Sequence, residues 1–327
     1  MIETRIKTDM RLALPLKNIL ICTVASFAFF LTGVTLPLLA LPVMLFFIFP
    51  TLSLSYEHGT FPALFSALFT SLLLNIFFHP LFSLTYFLSF GLSGVLLGFV
   101  ARKMASPGDM ILVSVAISLL CKLTAVYLVF KLTGTNFLMP DAAQIENALI
   151  IFTESNFASL AGNNIQAIKE NLSQSVQYLV MLIPYSVIFF STAEVLVSFW
   201  SASFIHRKIT GDSFFLLPSF SEWAFPKNIL LVLLIGFLCD LAASNNPDMA
   251  VLRQVGANLN AVSRTLFIVQ GLAVTCFFLK LRGFSKFLRV AIIIATPIIT
   301  LLGDIFSIVG IIDLGFNLRK RIKGETQ

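Results

Sequence analysis

Long, unbroken apolar runs constrain this chain more than any other feature. Several approach the length of about 20 residues that an α-helix needs to cross a bilayer, as between Met110 and Phe130. Such runs do not fit a transmembrane β-barrel, whose strands alternate apolar and polar residues over about 10 positions. Only 12% of the 327 residues are charged, too few to cover a soluble surface. The sequence therefore predicts an all-α, polytopic integral membrane helix bundle, and excludes a soluble enzyme, a nucleic-acid binder and a disordered regulator.

Eight apolar segments are predicted to cross the lipid bilayer, followed by a C-terminal helical hairpin. The last segment, 290–318, contains Pro297 and the pair Gly303-Asp304, which predict two short passes or a re-entrant pair that breaks near Gly303. The eight predicted spans are 18–35, 36–56, 61–79, 81–100, 110–130, 176–205, 229–243 and 265–281.

The basic residues predict the orientation of these spans. If the N-terminus is cytoplasmic, most Lys and Arg fall on the cytoplasmic side, as the positive-inside rule requires. The C-terminus then returns to the cytoplasm as well, since 319–327 is basic. Of the 22 Lys and Arg, those left in spans or outside are Lys122, Lys131, Lys169, Arg253 and Arg264.

One membrane domain, 1–327, is the simplest organisation for this pattern. A cytoplasmic lead-in (1–17) precedes a bundle at 18–205, and the polar stretch 133–175 is an outer loop within that bundle. A cytoplasmic aromatic loop (206–228), C-terminal helices (229–318) and a basic tail (319–327) follow. The helical spacing of Ile165, Ile168, Leu172, Val176 and Leu179 predicts an amphipathic helix, either interfacial or a lid over an outward-facing cavity.

Two charged residues inside predicted spans are the main candidates for a site. Lys122 lies in the fifth span and Glu194 in the sixth, and neither is compatible with lipid. They form either a buried polar tie between helices or the lining of a polar cavity that binds substrate. As further substrate-binding candidates we consider Gln270 and Asn75 inside spans, with Arg253, Asn258 and Arg264 at the outer mouth. Asp240 faces the same choice, and we interpret it as a structural tie.

Small residues predict close helix packing or partner docking. Gly94 and Gly98 form a GxxxG motif, which lets another helix backbone approach. Ala25 and Ala28 give the first span a looser small face, and Trp223 belongs to the aromatic loop, which could dock a soluble partner. No HExxH, GxSxG, Walker A or aspartate-rich metal motif occurs, so the sequence indicates no catalytic residue, cofactor or metal. An unfamiliar intramembrane enzyme stays compatible with these absences.

The C-terminal half resembles the YybS-like family of bacterial multi-pass membrane proteins, which carry a domain of unknown function. The resemblance rests on FSEWAFPKN (220–228), LRQVGANLNAVSRTLFIVQGLAV (252–274), SKFLR (285–289) and DLGFNLRKR (313–321).

The N-terminal half looks like the S component of energy-coupling factor transporters. The likeness rests on LPVMLFFIFPTLSLSYEHGTFPALFSALFTSLLL and GVLLGFVARK, within about 15–205. It implies a substrate-capturing subunit of commonly six helices, which depends on a coupling transmembrane subunit and cytoplasmic ATPases. Here Ala25 and Ala28 are spaced AxxA rather than the AxxxA of that family's docking face.

Two functions remain open at this point. One is binding, with or without import, of a small polar solute in the bacterial cytoplasmic membrane, with no cofactor or nucleic acid. The other is a membrane scaffold or regulatory subunit of a cell-envelope or signalling complex. A roomy polar pocket around Lys122 and Glu194 would favour the first, and a tightly paired Lys122 and Glu194 the second.

Overall fold

A computed structural model describes residues 16–138, 140–147, 149–151, 165–211, 219–244, 249–296 and 299–319. Predictions for most of the lead-in (1–15), for 152–164 of the outer loop, for 212–218 and for the tail from 320 lie outside these residues. So do those on the side chains of Ile165 and Ile168. The described backbone is helical and contains no β-strand.

The helices follow one another closely along the chain. A π-helical turn (Phe87–Leu92) continues from α5 into α6, and a short 3₁₀ helix (Phe220–Glu222) precedes α10. The α-helices are α1 (Leu16–Thr35), α2 (Pro37–Met44), α3 (Phe49–His58), α4 (Thr60–Phe77), α5 (Pro80–Tyr86), α6 (Ser93–Lys103), α7 (Pro107–Thr133), α8 (Ile165–Met181), α9 (Ile183–Thr210), α10 (Ile229–Ser244), α11 (Ala250–Leu281), α12 (Lys286–Ala295) and α13 (Thr300–Phe316).

Seven helices of the described chain are long and apolar enough to cross a membrane. The eight predicted spans plus a hairpin are therefore confirmed only as a multi-span helix bundle. The predicted seventh span corresponds to α10, which has only 16 residues. The seven candidates are Leu16–Thr35, Leu39–His58, Thr60–Phe77, Pro80–Lys103, Pro107–Thr133, Ile183–Lys208 and Ala250–Leu281.

Two predicted boundaries in the C-terminal half are wrong. The last apolar segment breaks between Ala295 and Thr300, and α13 runs unbroken through Gly303 and Asp304. Asp304 is exposed and paired with Arg264, so its charge does not interrupt the helix. The break falls instead after Thr296, which still has a helical conformation, and before Ile299, which precedes the first residue of α13.

The predicted eighth span begins 15 residues too late, because α11 starts at Ala250 and has 32 residues. Arg253, Asn258 and Arg264 were predicted to lie in a loop at the outer mouth, and all three are helical instead. Their side chains contact neighbouring helices, which offsets the cost of polar residues in a long helix.

The predicted amphipathic helix is confirmed as α8, although the helix does not run unbroken into the sixth span. Val176 is buried as predicted, whereas Leu179, which the spacing places on the same apolar face, is exposed. The helix is interrupted at Leu182, and α9 begins at the next residue.

The described residues group into two compact units. The first comprises 1–140 and 187–216, and the second 141–186 and 217–327. The first unit holds α1 to α7 and α9 from Val187 onward, and the second holds α8, the start of α9 and α10 to α13.

The GxxxG motif packs α6 against α3 inside the first unit. A Cβ at Gly94 would overlap Thr51, and one at Gly98 would overlap Ser55. Ser55 Oγ uses this close approach to donate a hydrogen bond of 2.7 Å to the Val95 carbonyl oxygen. The two glycines therefore serve helix packing within the unit.

The second unit is built around α11, which packs against both α10 and α13. Asn260 of α11 donates a hydrogen bond of 2.5 Å to Asp240 Oδ2 of α10, so Asp240 is a tie between helices. Gly271 and Gly310 bring the backbones of α11 and α13 together, because a Cβ at either position would overlap the other helix.

Candidate functional site

A buried ion pair joins α7 and α9 in the first unit. Lys122 Nζ lies 2.5 Å from Glu194 Oε2, and the two side chains are 15% and 3% exposed. Lys122 also donates a hydrogen bond of 2.8 Å to Ser118 Oγ, one turn earlier on α7. Each charge alone would cost about 3 kcal/mol in a span on insertion scales, so pairing stabilises both. The structure thus brings together the two charged residues that the sequence singles out.

Buried serines share the helix faces of this ion pair. Ser114, Ser118 and Lys122 follow one another at four-residue spacing on α7, and Ser191 precedes Glu194 by three residues on α9. All three serines are fully buried. We call these five residues the Lys122–Glu194 centre. The spacing of the serines is visible in the sequence. Sequence reasoning missed these residues because they are uncharged and do not stand out in an apolar span.

Several buried polar atoms at and beside this centre lack a hydrogen-bond partner. Among the described residues, neither Glu194 Oε1 nor Ser191 Oγ nor the Tyr86 hydroxyl has one. Tyr86 lies beside Ser26 and within electrostatic range of Glu194. An unmet buried polar group costs about 1–3 kcal/mol, which makes such groups rare in folded proteins. The centre therefore has hydrogen-bonding capacity that the described residues leave unused.

The π-helical turn packs against α7 and places Phe90 beside the ion pair. Lys122 Nζ lies 5.3 Å from the centroid of the Phe90 ring. This cation–π contact stabilises the ammonium group without a second carboxylate. Single π-helical turns often occur at functional sites, where the extra residue changes the direction of side chains.

Other residues of the first unit that the sequence singles out lie at its surface. Asn75 is exposed on α4 and is not part of the buried centre. On α1, Ala28 is exposed and Ala25 is half-buried, so the small face predicted for docking is accessible in this unit.

Gln270 forms a second buried polar cluster, in the second unit. Its Nε2 donates a hydrogen bond of 2.6 Å to Asp313 Oδ2, and its Oε1 accepts one of 3.0 Å from the Phe225 amide. Arg319 Nη2 lies 3.0 Å from the same Asp313 oxygen. Arg319 Nη1 donates to the carbonyl oxygen of Trp223 at 2.7 Å. This cluster ties α11 and α13 to the aromatic loop, so Trp223 is held through its backbone.

The residues predicted at the outer mouth each make a contact within the second unit. Arg253 Nη2 donates a hydrogen bond of 3.2 Å to the Ala243 carbonyl oxygen, and Arg264 forms an exposed ion pair with Asp304. Asn258 Nδ2 donates to the Met181 carbonyl oxygen at 2.9 Å. These contacts are all compatible with structural roles.

The histidines lie at or near helix ends, and each interacts with neighbouring residues. His206 Nδ1 lies 3.2 Å from Glu57 Oε1, and His58 contacts Asn18. His79 Nδ1 accepts a hydrogen bond of 3.3 Å from the Leu81 amide at the start of α5. Over the described part of the chain, no group of three or more His, Cys, Asp and Glu could hold a metal ion.

Comparisons with known proteins identify a family for this chain. No curated protein and no solved structure matches it. Residues 24–314 match the family described as predicted membrane protein, DUF2232, and this match includes most of both compact units. The apolar helices agree with that description. The chain is therefore a multi-pass membrane protein that belongs to the DUF2232 family.

Proposed function

We propose that the first unit binds a small polar solute at the Lys122–Glu194 centre, with or without import of that solute. The observation that carries this proposal concerns the second carboxylate oxygen of Glu194. Oε2 pairs with Lys122, whereas Oε1 is buried and has no hydrogen-bond partner in the described part of the protein. Burying such an oxygen in an apolar helix bundle costs free energy unless a donor forms a hydrogen bond with it part of the time.

The centre offers complementary groups to a solute. Glu194 Oε1 accepts a hydrogen bond from the solute, and the Ser191 and Tyr86 hydroxyls can donate or accept one. Lys122 attracts an anionic group when its contact with Glu194 opens. The proposal includes no catalytic step, in keeping with the lack of catalytic motifs in the sequence.

Import would require partners in this proposal. Six of the seven candidate spans belong wholly or largely to the first unit, and six is the common number in the S components that the N-terminal half resembles. We propose a coupling transmembrane subunit with cytoplasmic ATPases as partners, docked on the α1 face that holds Ala25 and Ala28. The proposed location is the bacterial cytoplasmic membrane with the N-terminus inside.

Thermal unfolding of the full chain in mild detergent tests the binding site. We expect the wild type to be stabilised by at least one member of a panel of small anionic, cationic and zwitterionic solutes. Lys122→Met and Glu194→Gln should each abolish that response, because each removes one charge of the centre. Lys131→Met is the matched control, since Lys131 is exposed on the same helix. A normal solute response in both centre variants would contradict the site.

The double variant separates binding from stability. A single substitution at a buried ion pair leaves one charge unpaired and costs about 3–5 kcal/mol, whereas replacing both partners is often close to neutral. We therefore expect Lys122→Met with Glu194→Gln to recover most of the unfolding temperature but not the solute response.

A membrane scaffold or regulatory subunit is the second candidate function. The direct 2.5 Å contact between Lys122 and Glu194 favours it, because a tie between α7 and α9 needs no solute. Affinity purification in mild detergent distinguishes the two proposals. Coupling subunits and ATPases in the eluate support import, and components of a cell-envelope or signalling complex support the scaffold.

A further inference from the structure

A cavity of about 230 Å³ lies in the second unit, beside the Gln270 cluster. It is formed by the aromatic loop, α11, α13 and the residues just after α13. Its lining combines charged and aromatic side chains, among them Glu222, Phe225, Lys227, Phe277, Asp313 and Arg319.

Asp313 lines this cavity and has a hydrogen-bond acceptor that is not used. The residue is 3% exposed, and its Oδ2 already accepts from Gln270 and Arg319. Its Oδ1 is buried and has no hydrogen-bond partner among the residues that the structure covers. A carboxylate oxygen can only accept, so the missing partner is an N–H or O–H group.

The charges around the cavity are balanced. Two acidic side chains, Glu222 and Asp313, face two basic ones, Lys227 and Arg319. Arg319 is engaged by Asp313 and by the carbonyl oxygens of Ser221 and Trp223. Lys227 is exposed, and its ammonium group is available to an anion. The lining thus suits a ligand that carries one positive and one negative group.

We propose that this cavity binds a small zwitterion with a primary ammonium group and a phosphate or carboxylate. The ammonium donates a hydrogen bond to Asp313 Oδ1, the anionic group lies near Lys227, and Phe225 and Phe277 contact the carbon atoms between them. A free zwitterion and the ethanolamine phosphate headgroup of a lipid share this chemistry. The site uses only residues of the second unit, so it goes beyond the solute site proposed above.

Two soluble probes test the role of the N–H donor. O-phosphoethanolamine and phosphocholine carry the same charges, but the quaternary ammonium of phosphocholine has no N–H group. We expect phosphoethanolamine to raise the unfolding temperature of the full chain in phosphatidylglycerol nanodiscs, and phosphocholine to leave it unchanged.

A lipid arm identifies the source of the ligand. Nanodiscs of phosphatidylglycerol are compared with the same nanodiscs containing phosphatidylethanolamine or phosphatidylcholine. Stabilisation by phosphatidylethanolamine but not by soluble phosphoethanolamine assigns the site to the lipid headgroup, and the reverse assigns it to a free zwitterion. Equal stabilisation by the choline and ethanolamine compounds, or no stabilisation by either, would overturn the proposal.

Variants then link the response to the cavity. Asp313→Asn removes the negative charge, and the one amide oxygen should stay with the Gln270 and Arg319 donors, which leaves an NH2 group in place of the free acceptor. The substitution should therefore abolish the ethanolamine response. Lys227→Met should weaken the affinity for phosphoethanolamine about fivefold, as expected for loss of one partly exposed ion pair. It should leave the ligand-free protein as stable as the wild type. Asp304→Asn is the control, because Asp304 lies on the same helix and does not line the cavity. A wild-type response in Lys227→Met and Asp313→Asn would also overturn the proposal.

Discussion

At the scale of single residues, Asn258 completes a broken helical hydrogen bond. In an uninterrupted helix the Tyr185 amide would donate to the Met181 carbonyl oxygen, four residues earlier. Here the Tyr185 amide donates to Asn258 Oδ1 at 2.7 Å, and Asn258 Nδ2 donates to the Met181 oxygen at 2.9 Å. Pro184 accounts for the interruption, because its ring is incompatible with a regular helix at this point. The asparagine side chain thus stands in for the missing bond.

We expect Asn258→Leu to lower the thermal unfolding temperature by several degrees. The leucine is apolar and of similar size, but it removes the hydrogen bonds that Asn258 makes to the Tyr185 amide and the Met181 oxygen, at a cost of about 1–3 kcal/mol. Gln254→Ala is the control, since Gln254 reaches the Met181 oxygen only at 3.5 Å and its loss should have a small effect. Unfolding curves in one detergent give both values. If Asn258→Leu unfolds at the same temperature as the wild type, the asparagine side chain does not stabilise the interrupted helix.

At the scale of helices, α11 and α13 cross with their backbones in contact. A Cβ at Gly310 would overlap the Phe267 carbonyl oxygen, and a Cβ at Gly271 would overlap the Phe306 carbonyl oxygen. Glycine at both positions allows this approach, which resembles the small-residue contacts common in membrane helix pairs. The same crossing brings Gln270 of α11 to Asp313 of α13.

We expect Gly310→Ala to destabilise the protein, because the added methyl group meets backbone atoms that have no side-chain rotation with which to yield. Gly315→Ala on the same helix is the matched control, since a Cβ there has no described atom within 4 Å. Alanine favours a helix over glycine by about 1 kcal/mol, so Gly315→Ala should be neutral or slightly stabilising. Thermal unfolding checks both, and equal effects of the two substitutions would contradict the close crossing.

At the scale of the whole molecule, the basic residues predict a topology in which the 16-residue α10 crosses the membrane in addition to the seven candidate spans, so that both termini are cytoplasmic. Lys103 ends α6 and Lys208 lies near the end of α9, whereas Gly134 follows the last residue of α7. With the N-terminus inside, reporters fused after Lys103, Lys208 and Gln327 should read as cytoplasmic, and a reporter after Gly134 as extracytoplasmic. An extracytoplasmic signal after Gln327 would contradict the predicted return of the C-terminus.

Sequence reasoning performs best where one property of a helix is enough. Apolar length alone locates the first five spans close to the helices observed, because lipid requires an apolar segment of set length whatever its neighbours are. It fails for α11, which continues 15 residues before the predicted span. There Asn258, Arg253 and Arg264 raise the local polarity, and only their contacts with other helices explain why the helix continues.

The sequence by itself determined that this is a multi-pass membrane protein, and it marked Lys122 and Glu194 as exceptional, because charge and apolar length are properties of each segment alone. Only the tertiary structure decided that these two, 72 residues apart, form an ion pair. It also decided that Gln270 joins Asp313 rather than lying free in its span, and that Glu194 Oε1 is left without a partner in the described chain. The physical reason is that such contacts depend on which helix faces meet and at what depth, and hydropathy carries no information about either.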